Sequence, residues 1–397
     1  MHSISELNNH IYLDACATTP MHKSVINEIN RININYFGNP SSIHSHGIEA
    51  AKILEESRFA IAEKLGCSFE EVLFTSGATE SIHLAIRGLA NSLNKGRIII
   101  SSVEHPAVES AALLLEQDGW QVEYWPVDNK GNIRLDLIDS ILAKPTKLVS
   151  IIWGQNEIGS IQPVHLIGKE CKDRNIIFHT DATQLLPHCL FNFNKLPIDL
   201  ISASAHKMQG PKGLGLLLCK QKFKQKLKYI NGGSPQEFGI RSGTEPIPLI
   251  AGTAMAIKLI KKEIEFNKGK VILPVTSVSK NTLDLKLRLN HLRQLRWLGN
   301  ELNENRLPNH LSFIVQDKDG NPLQSRRFVR ELSNRGISIS RGSACSVGSY
   351  KRSNVLKAIG LDYDWQEAAI RISLGSWIYH NQISQIPDIM EEALLSL

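Results

Sequence analysis

No two cysteines in this chain are spaced as Cys-x-x-Cys. The six (Cys16, Cys67, Cys171, Cys189, Cys219 and Cys345) are scattered through 397 residues. That argues against a zinc site and against a disulfide framework. Long apolar runs are also missing. Ala111 to Leu115 and Leu214 to Cys219 are the longest, far too short to span a bilayer. The opening residues lack the basic stretch and apolar core of a signal peptide. A cytoplasmic protein with no membrane partner is expected. Charge of one sign is in short supply too, the net being only +6. The densest basic run, Lys220, Lys222, Lys224, Lys226 and Lys228, has no aromatic pattern for stacking bases. It reads as the solvated face of a helix that buries Phe223 and Leu227, so no nucleic-acid partner is expected. Repeats and low-complexity tracts are absent.

What the chain has is alternation. Strand patterns at Arg97 to Ser102, Val122 to Trp125, Leu148 to Trp153, Ile176 to His179, Ile198 to Ser202 and Leu214 to Cys219 are mostly separated by helical ones, such as Pro106 to Glu116 and Val164 to Arg174. Strands alternating with helices predict an α/β fold with a mostly parallel sheet covered on both faces. Past residue 257 the pattern changes to α+β, with helices expected at Ala256 to Phe266 and Leu283 to Leu295. Residues 267 to 280 show no pattern. The domains expected are a large one at 16–257 and a smaller one made of 1–15 and 258–397.

In such sheets functional residues gather beyond the carboxyl ends of the strands. His105, Asn156, Asp181 with Gln184, and His206 with Lys207 stand at four such ends. Lys207 ends a buried strand, where an amine is costly unless it is paired or used chemically. One use is a Schiff base with a carbonyl cofactor; the plain alternative is a surface lysine in a turn. The small residues Gly77, Ala78 and Thr79 open a helix, a turn that suits an anion or is simply a capped helix start.

Pyridoxal 5′-phosphate would use all of these groups. Lys207 supplies the amine, and Asp181 keeps the ring nitrogen protonated. His105 stacks on the ring and moves protons. Gln184 reaches the ring hydroxyl. Gly77, Ala78, Thr79, Ser204 and His206 bind the phosphate. Arg371, on a late apolar strand, is the candidate for a substrate carboxylate. No metal ligands are expected.

The chain resembles the cysteine desulfurases of the NifS/IscS type, class V aminotransferases of fold-type I. The matching motifs run in the family's order: Tyr12-Leu13-Asp14, Ala17-Thr18-Thr19-Pro20, Gly38-Asn39-Pro40-Ser41-Ser42, Thr75-Ser76-Gly77-Ala78-Thr79-Glu80, Glu104-His105, Asn156-Glu157-Ile158-Gly159, Asp181-Ala182-Thr183-Gln184, His206-Lys207, Arg241-Ser242-Gly243-Thr244-Glu245, Gly342-Ser343-Ala344-Cys345 and Arg371-Ile372-Ser373-Leu374-Gly375. The resemblance implies a homodimer in which Thr244 reaches the phosphate of the partner's cofactor. It implies that Asn156 lies near ring and substrate, and that Asn39 and Arg371 hold the substrate carboxylate. It implies that L-cysteine is the substrate, that Lys207 and His105 move protons, and that the Cys345 thiolate attacks the substrate sulfur. A persulfide on Cys345 and free alanine result. The sulfur then passes to an acceptor protein, such as an iron–sulfur scaffold, or to another thiolation pathway.

The chain departs from that pattern at Gln155, usually Asn, at Ala205, usually Gly, and at Arg341, usually a small residue. The Gly232 to Gly239 loop is one residue longer, with Phe238 in place of an Arg. Arg341 either favours the Cys345 thiolate by its charge or is a solvated loop residue. A selenocysteine lyase or related transaminase is the alternative activity. A partner-binding paralogue without turnover is the non-enzymatic one; its signature would be loss of Lys207, Asp181 or Cys345, all of which are present.

Overall fold

The computed structural model describes residues 10–228, 232–233, 235–267, 270–302, 304–342 and 352–397. A seven-stranded sheet forms the centre. Its order is Val72–Thr75, Gly215–Cys219, Leu200–Ser204, Ile177–Asp181, Thr146–Ile152, Arg97–Ser101, Gln121–Trp125. Only Gly215–Cys219 runs against its neighbours. The other six strands point one way, so their carboxyl ends share one edge of the sheet.

The strands are apolar on both faces because both are covered. Successive residues face opposite sides. Ile98 and Ile100 pack with Ile82, Ile86, Val108 and Leu115. Ile99 packs on the other side with Leu54, Ile61, Ile167 and Ile257. The long helix Ser45–Leu65 ends at Gly66, whose φ of 60° supplies the left-handed cap.

A second, antiparallel sheet has the order Leu295–Trp297, His310–Val315, Ala369–Ser373, Ser340–Arg341. Ile11 and Leu13 from the start of the chain join its core with Leu285, Phe313, Phe328, Ile370 and Met390. The bridge from Asp14 to Ser373 ties the two ends of the chain together. No helix among the described residues is long and apolar enough to cross a membrane.

Several expected boundaries move. The basic helix is Ser277–Leu289, not 283–295, because Thr276 and Ser279 form a capping box that starts it early. The connecting helix is Ile247–Leu259, set by Pro246 and Ile247 rather than Ala256. The end of the expected helix is instead the strand Glu265–Asn267, which pairs antiparallel with Lys270–Ile272 in the unpatterned stretch. The lysine run is helical only over Gln221–Lys224. Phe223 and Leu227 are buried and Lys222, Lys226 and Lys228 exposed, as expected, while the Lys220 amine donates to the Phe193 carbonyl at 2.8 Å and Lys222 pairs with Asp199 at 3.0 Å.

Candidate functional site

The shared carboxyl edge of the sheet opens into a cavity of 510 Å³. Gly77, Ala78 and Thr79 line it, with His105, Asn156, Asp181, Gln184, Ser204, His206, Lys207 and Arg371. Eleven of the fourteen expected site residues therefore share one cavity. Asn39 and Thr244 are exposed and not among its lining residues. Asn39 instead accepts the Ser41 N–H through its own side chain at 2.9 Å. Cys345 lies outside the described residues.

Local chemistry sets each group. His105 caps the helix Pro106–Gln117, its Nδ1 accepting the Ala107 N–H at 3.2 Å. That bond places the proton of the neutral ring on Nε2. Burial holds its pKa below the ordinary histidine range, against Asp181 and with help from Lys207. Asp181 ends a central strand and is 4% exposed. Its Oδ1 accepts the Thr183 N–H at 3.0 Å and the Thr183 hydroxyl at 2.5 Å, an Asx-type turn that fixes the carboxylate.

Lys207 stands in the tight turn Ala205–Lys207. Its amine donates to the carbonyls of Cys16 and Ala17, both at 2.6 Å. The Gln184 amide reaches the same Cys16 carbonyl at 2.9 Å. Cys16 itself lines the cavity with its thiol pushed up by burial. His206 meets the Thr18 hydroxyl at 3.0 Å. Burial, together with the charges of Lys207 and Lys212, pulls its pKa down to about 4.

Arg371 is 1% exposed. Its guanidinium donates to the Asn156 carbonyl at 3.0 Å and to Asp14 at 2.8 Å. Its Nε is buried with no partner among the described residues. An orphaned donor on a cavity wall marks a place for an acceptor that arrives from outside.

The chain matches the family model described as "Aminotransferase class-V" over residues 11–386. It is 37% identical over 397 residues to the cysteine desulfurase IscS of Dictyoglomus turgidum, covering 98% of this chain and 96% of that one. It is 33% identical over 377 residues to the human cysteine desulfurase, covering 94% and 79%. Among solved structures, a "NIFS-LIKE PROTEIN" superposes with a TM-score of 0.85 at 31% identity, covering 98% of this chain and all of that one. A second, "SspA in complex with cysteine", gives 0.77 at 31% identity, covering 91% and 98%. The chain belongs to the aminotransferase class-V family, in its cysteine desulfurase group.

The cofactor of this family is pyridoxal 5′-phosphate, and the cavity fits it on its own terms. One cavity holds an amine, a fixed carboxylate, an imidazole and a turn of small residues. Gly215 shapes the turn: a Cβ there would lie 2.3 Å from the Gly77 carbonyl carbon. Only glycine lets these two backbones approach so closely.

The family's departures acquire partners. The Gln155 side-chain oxygen Oε1 accepts the N–H groups of Glu157 and Ile158, and its side-chain NH2 donates to the Val103 carbonyl at 3.3 Å. Arg341 is partly exposed. It pairs with Glu367 at 2.6 Å and donates to the Ser325 hydroxyl at 3.1 Å. Sequence reading assigned no role to Asp14, Cys16 or Glu104. Asp14 meets Arg371 across 357 residues of chain, so no local spacing signals the pair.

Proposed function

We propose that this chain is a pyridoxal-phosphate-dependent cysteine desulfurase that converts L-cysteine to L-alanine and moves the sulfur to Cys345 as a persulfide. The observation that carries the reading is Arg371. A buried guanidinium with a free Nε shares a cavity with Lys207 and Asp181. That is the arrangement an amino-acid substrate needs, carboxylate at one end and reacting carbon at the other.

The bound cofactor supplies an electron sink that weakens bonds around the substrate's α-carbon. Lys207 holds it covalently and moves protons. Asp181, fixed by Thr183, keeps the ring nitrogen protonated. His105 covers the ring and moves protons through Nε2, since its Nδ1 is held by the Ala107 N–H. Gln184 reaches the ring hydroxyl, and Asn156 lies beside ring and substrate. Gly77, Ala78, Thr79, Ser204 and His206 hold the phosphate. Arg371 orients the substrate carboxylate from the cavity wall. The Cys345 thiolate attacks the substrate sulfur. An S–S bond forms as the C–S bond breaks, and the carbon takes up a proton and leaves as alanine.

We read the protein as a homodimer, with Thr244 serving the partner's cofactor phosphate. Ile34, Phe37, Ile43, Ile48 and Phe59, in the segment 34–59, support this, being 56–94% exposed. We read its lobes as 16–257 and 1–15 with 258–397. The five described cysteines are free thiols, which suits the cytoplasm. The sulfur acceptor is a second protein, an iron–sulfur scaffold or another thiolation partner.

The test is incubation with L-cysteine followed by mass spectrometry of the peptide carrying Cys345. A gain of one sulfur atom there, with alanine in solution, is expected. Cys345→Ser should lose both and keep the cofactor's visible absorbance. Undiminished sulfur release from that variant would sink the proposal.

A further inference from the structure

The strand Val72–Thr75 leads into the turn Ser76 to Thr79 and lies at the edge of the main sheet. Its inner side pairs with Gly215–Cys219. Among the described residues no strand pairs with its outer side. Two carboxylates take the N–H groups there instead. Glu237 accepts the Phe74 N–H at 2.8 Å, and Glu80 accepts the Ser76 N–H at 2.6 Å.

Each carboxylate is gripped by an arginine. Arg58 binds Glu237 with two bonds, at 2.6 and 2.8 Å, and also donates to the Val72 carbonyl at 2.7 Å. Both side chains of that pair are buried. Arg241 binds the other Glu80 oxygen at 3.0 Å. Glu237 and Arg241 belong to one small unit, in which Pro235–Gln236 pairs with Arg241–Ser242. Its tight turn holds Glu237 at φ 45° and Phe238 at φ 58°, a left-handed geometry that persists only when its surroundings fix it. The Phe238 ring lies 4.9 Å from the Arg58 guanidinium and 3.3 Å from the Lys224 amine. The aromatic that replaces the family's arginine thus closes over the buried pair.

We propose that Glu80 and Arg241 are positioning residues for the cofactor's phosphate, with Arg58 and Glu237 anchoring the unit that carries Arg241. Glu80 takes the Ser76 N–H and so fixes the backbone one residue before the Gly77 to Thr79 turn. Glu80 follows Thr79 directly in the chain, and a carboxylate beside a phosphate site repels the phosphate unless it is neutralised. Arg241 neutralises it. The inference rests on the reading of this turn as the phosphate cradle.

The consequence is an order of effects that packing alone does not produce. Arg241→Gln strands a negative charge beside the phosphate. Glu80→Gln together with Arg241→Gln removes that charge, and the new side-chain amide oxygen can still accept the Ser76 N–H. Arg241→Lys keeps the neutralising charge.

The test is titration of each apoenzyme with pyridoxal 5′-phosphate and with pyridoxal, read by visible absorbance, alongside thermal unfolding. Arg241→Gln should weaken pyridoxal phosphate about tenfold and pyridoxal less than about twofold. The double variant and Arg241→Lys should return to within about threefold of the parent. Equal weakening of both ligands, or a double variant as weak as the single one, overturns the proposal. So does a fall in melting temperature with unchanged phosphate-ester affinity. A parent chain that binds neither ligand overturns the reading of the cavity itself, and this inference with it.

Discussion

Arg371 and Asp14 lie 357 positions apart in sequence and meet at 2.8 Å, with the arginine 1% exposed. Asp14 also accepts the Ser340 hydroxyl at 2.6 Å, which fixes the carboxylate from a second side. The guanidinium is therefore held in place before any substrate arrives, with Nε still without a partner among the described residues. Arg371→Lys keeps the charge and loses the fork. It should raise KM for L-cysteine about 10- to 100-fold, with kcat reduced far less. Steady-state alanine release checks this. An unchanged KM would remove Arg371 from the substrate site.

Lys207 makes two carbonyl bonds that have nothing to do with chemistry. Structural and chemical roles can be separated by Lys207→Arg. Arginine can donate to the carbonyls of Cys16 and Ala17 but cannot bond covalently to the cofactor's carbonyl carbon. The variant should melt within a few degrees of the parent, and its turnover should fall by about 10³-fold or more. Its visible spectrum should change from that of a lysine-bound cofactor to that of free pyridoxal phosphate. Retained turnover would assign the reaction to another amine.

Gly215→Ala tests the cradle from beneath. The added Cβ would meet Gly77 at 2.3 Å from its carbonyl carbon and 2.6 Å from its Cα. Both contacts are backbone, so the turn must shift as a unit. A cost of about 1–3 kcal/mol in stability is expected from the overpacking. Denaturant unfolding would measure it, and a cofactor affinity that falls in parallel would tie the strain to the turn.

Much of the site could be read in the sequence because strand ends are local signals. His105, Asp181 and Lys207 each follow an apolar run, and parallel strands bring such ends to one edge. What could not be read depends on distant pairing. Asp14 faces Arg371, and Arg58 faces Glu237 across 179 residues. Helix boundaries moved where capping outweighed periodicity, as at Thr276. The lysine run looked like one helical face because its spacing is regular. Phe223 and Leu227 are buried and Lys222, Lys226 and Lys228 exposed as expected, but the helix stops at Lys224, and Lys220 turns to the Phe193 carbonyl, a contact that no spacing encodes.

Glu104 gives the fold a pH dependence of known sign. It is 8% exposed. One oxygen accepts the Ser101 hydroxyl at 2.5 Å and the Ile152 N–H at 2.8 Å, and the other is buried without a partner among the described residues. Ile152 pairs with Asp181 in the sheet, so the two carboxyls are neighbours. Burial pushes the Glu104 pKa up to about 8, and the nearby Asp181 charge adds to the rise. The folded chain then keeps a proton that the unfolded chain releases above about pH 4.3. The stability this group contributes is full below that pH and is lost as pH rises toward 8. Glu157, pushed up to about 7 by burial, acts in the same direction. A single substitution separates the two, because the Glu157 contribution remains in both proteins. Glu104→Gln keeps an acceptor for Ser101 and Ile152 and cannot ionise. Relative to the parent it should gain stability between pH 5 and pH 8, at a slope approaching about 1.4 kcal/mol per pH unit. Urea unfolding of both proteins at the two pH values checks this. A difference between them that stays constant with pH would show that Glu104 is ionised in the folded state.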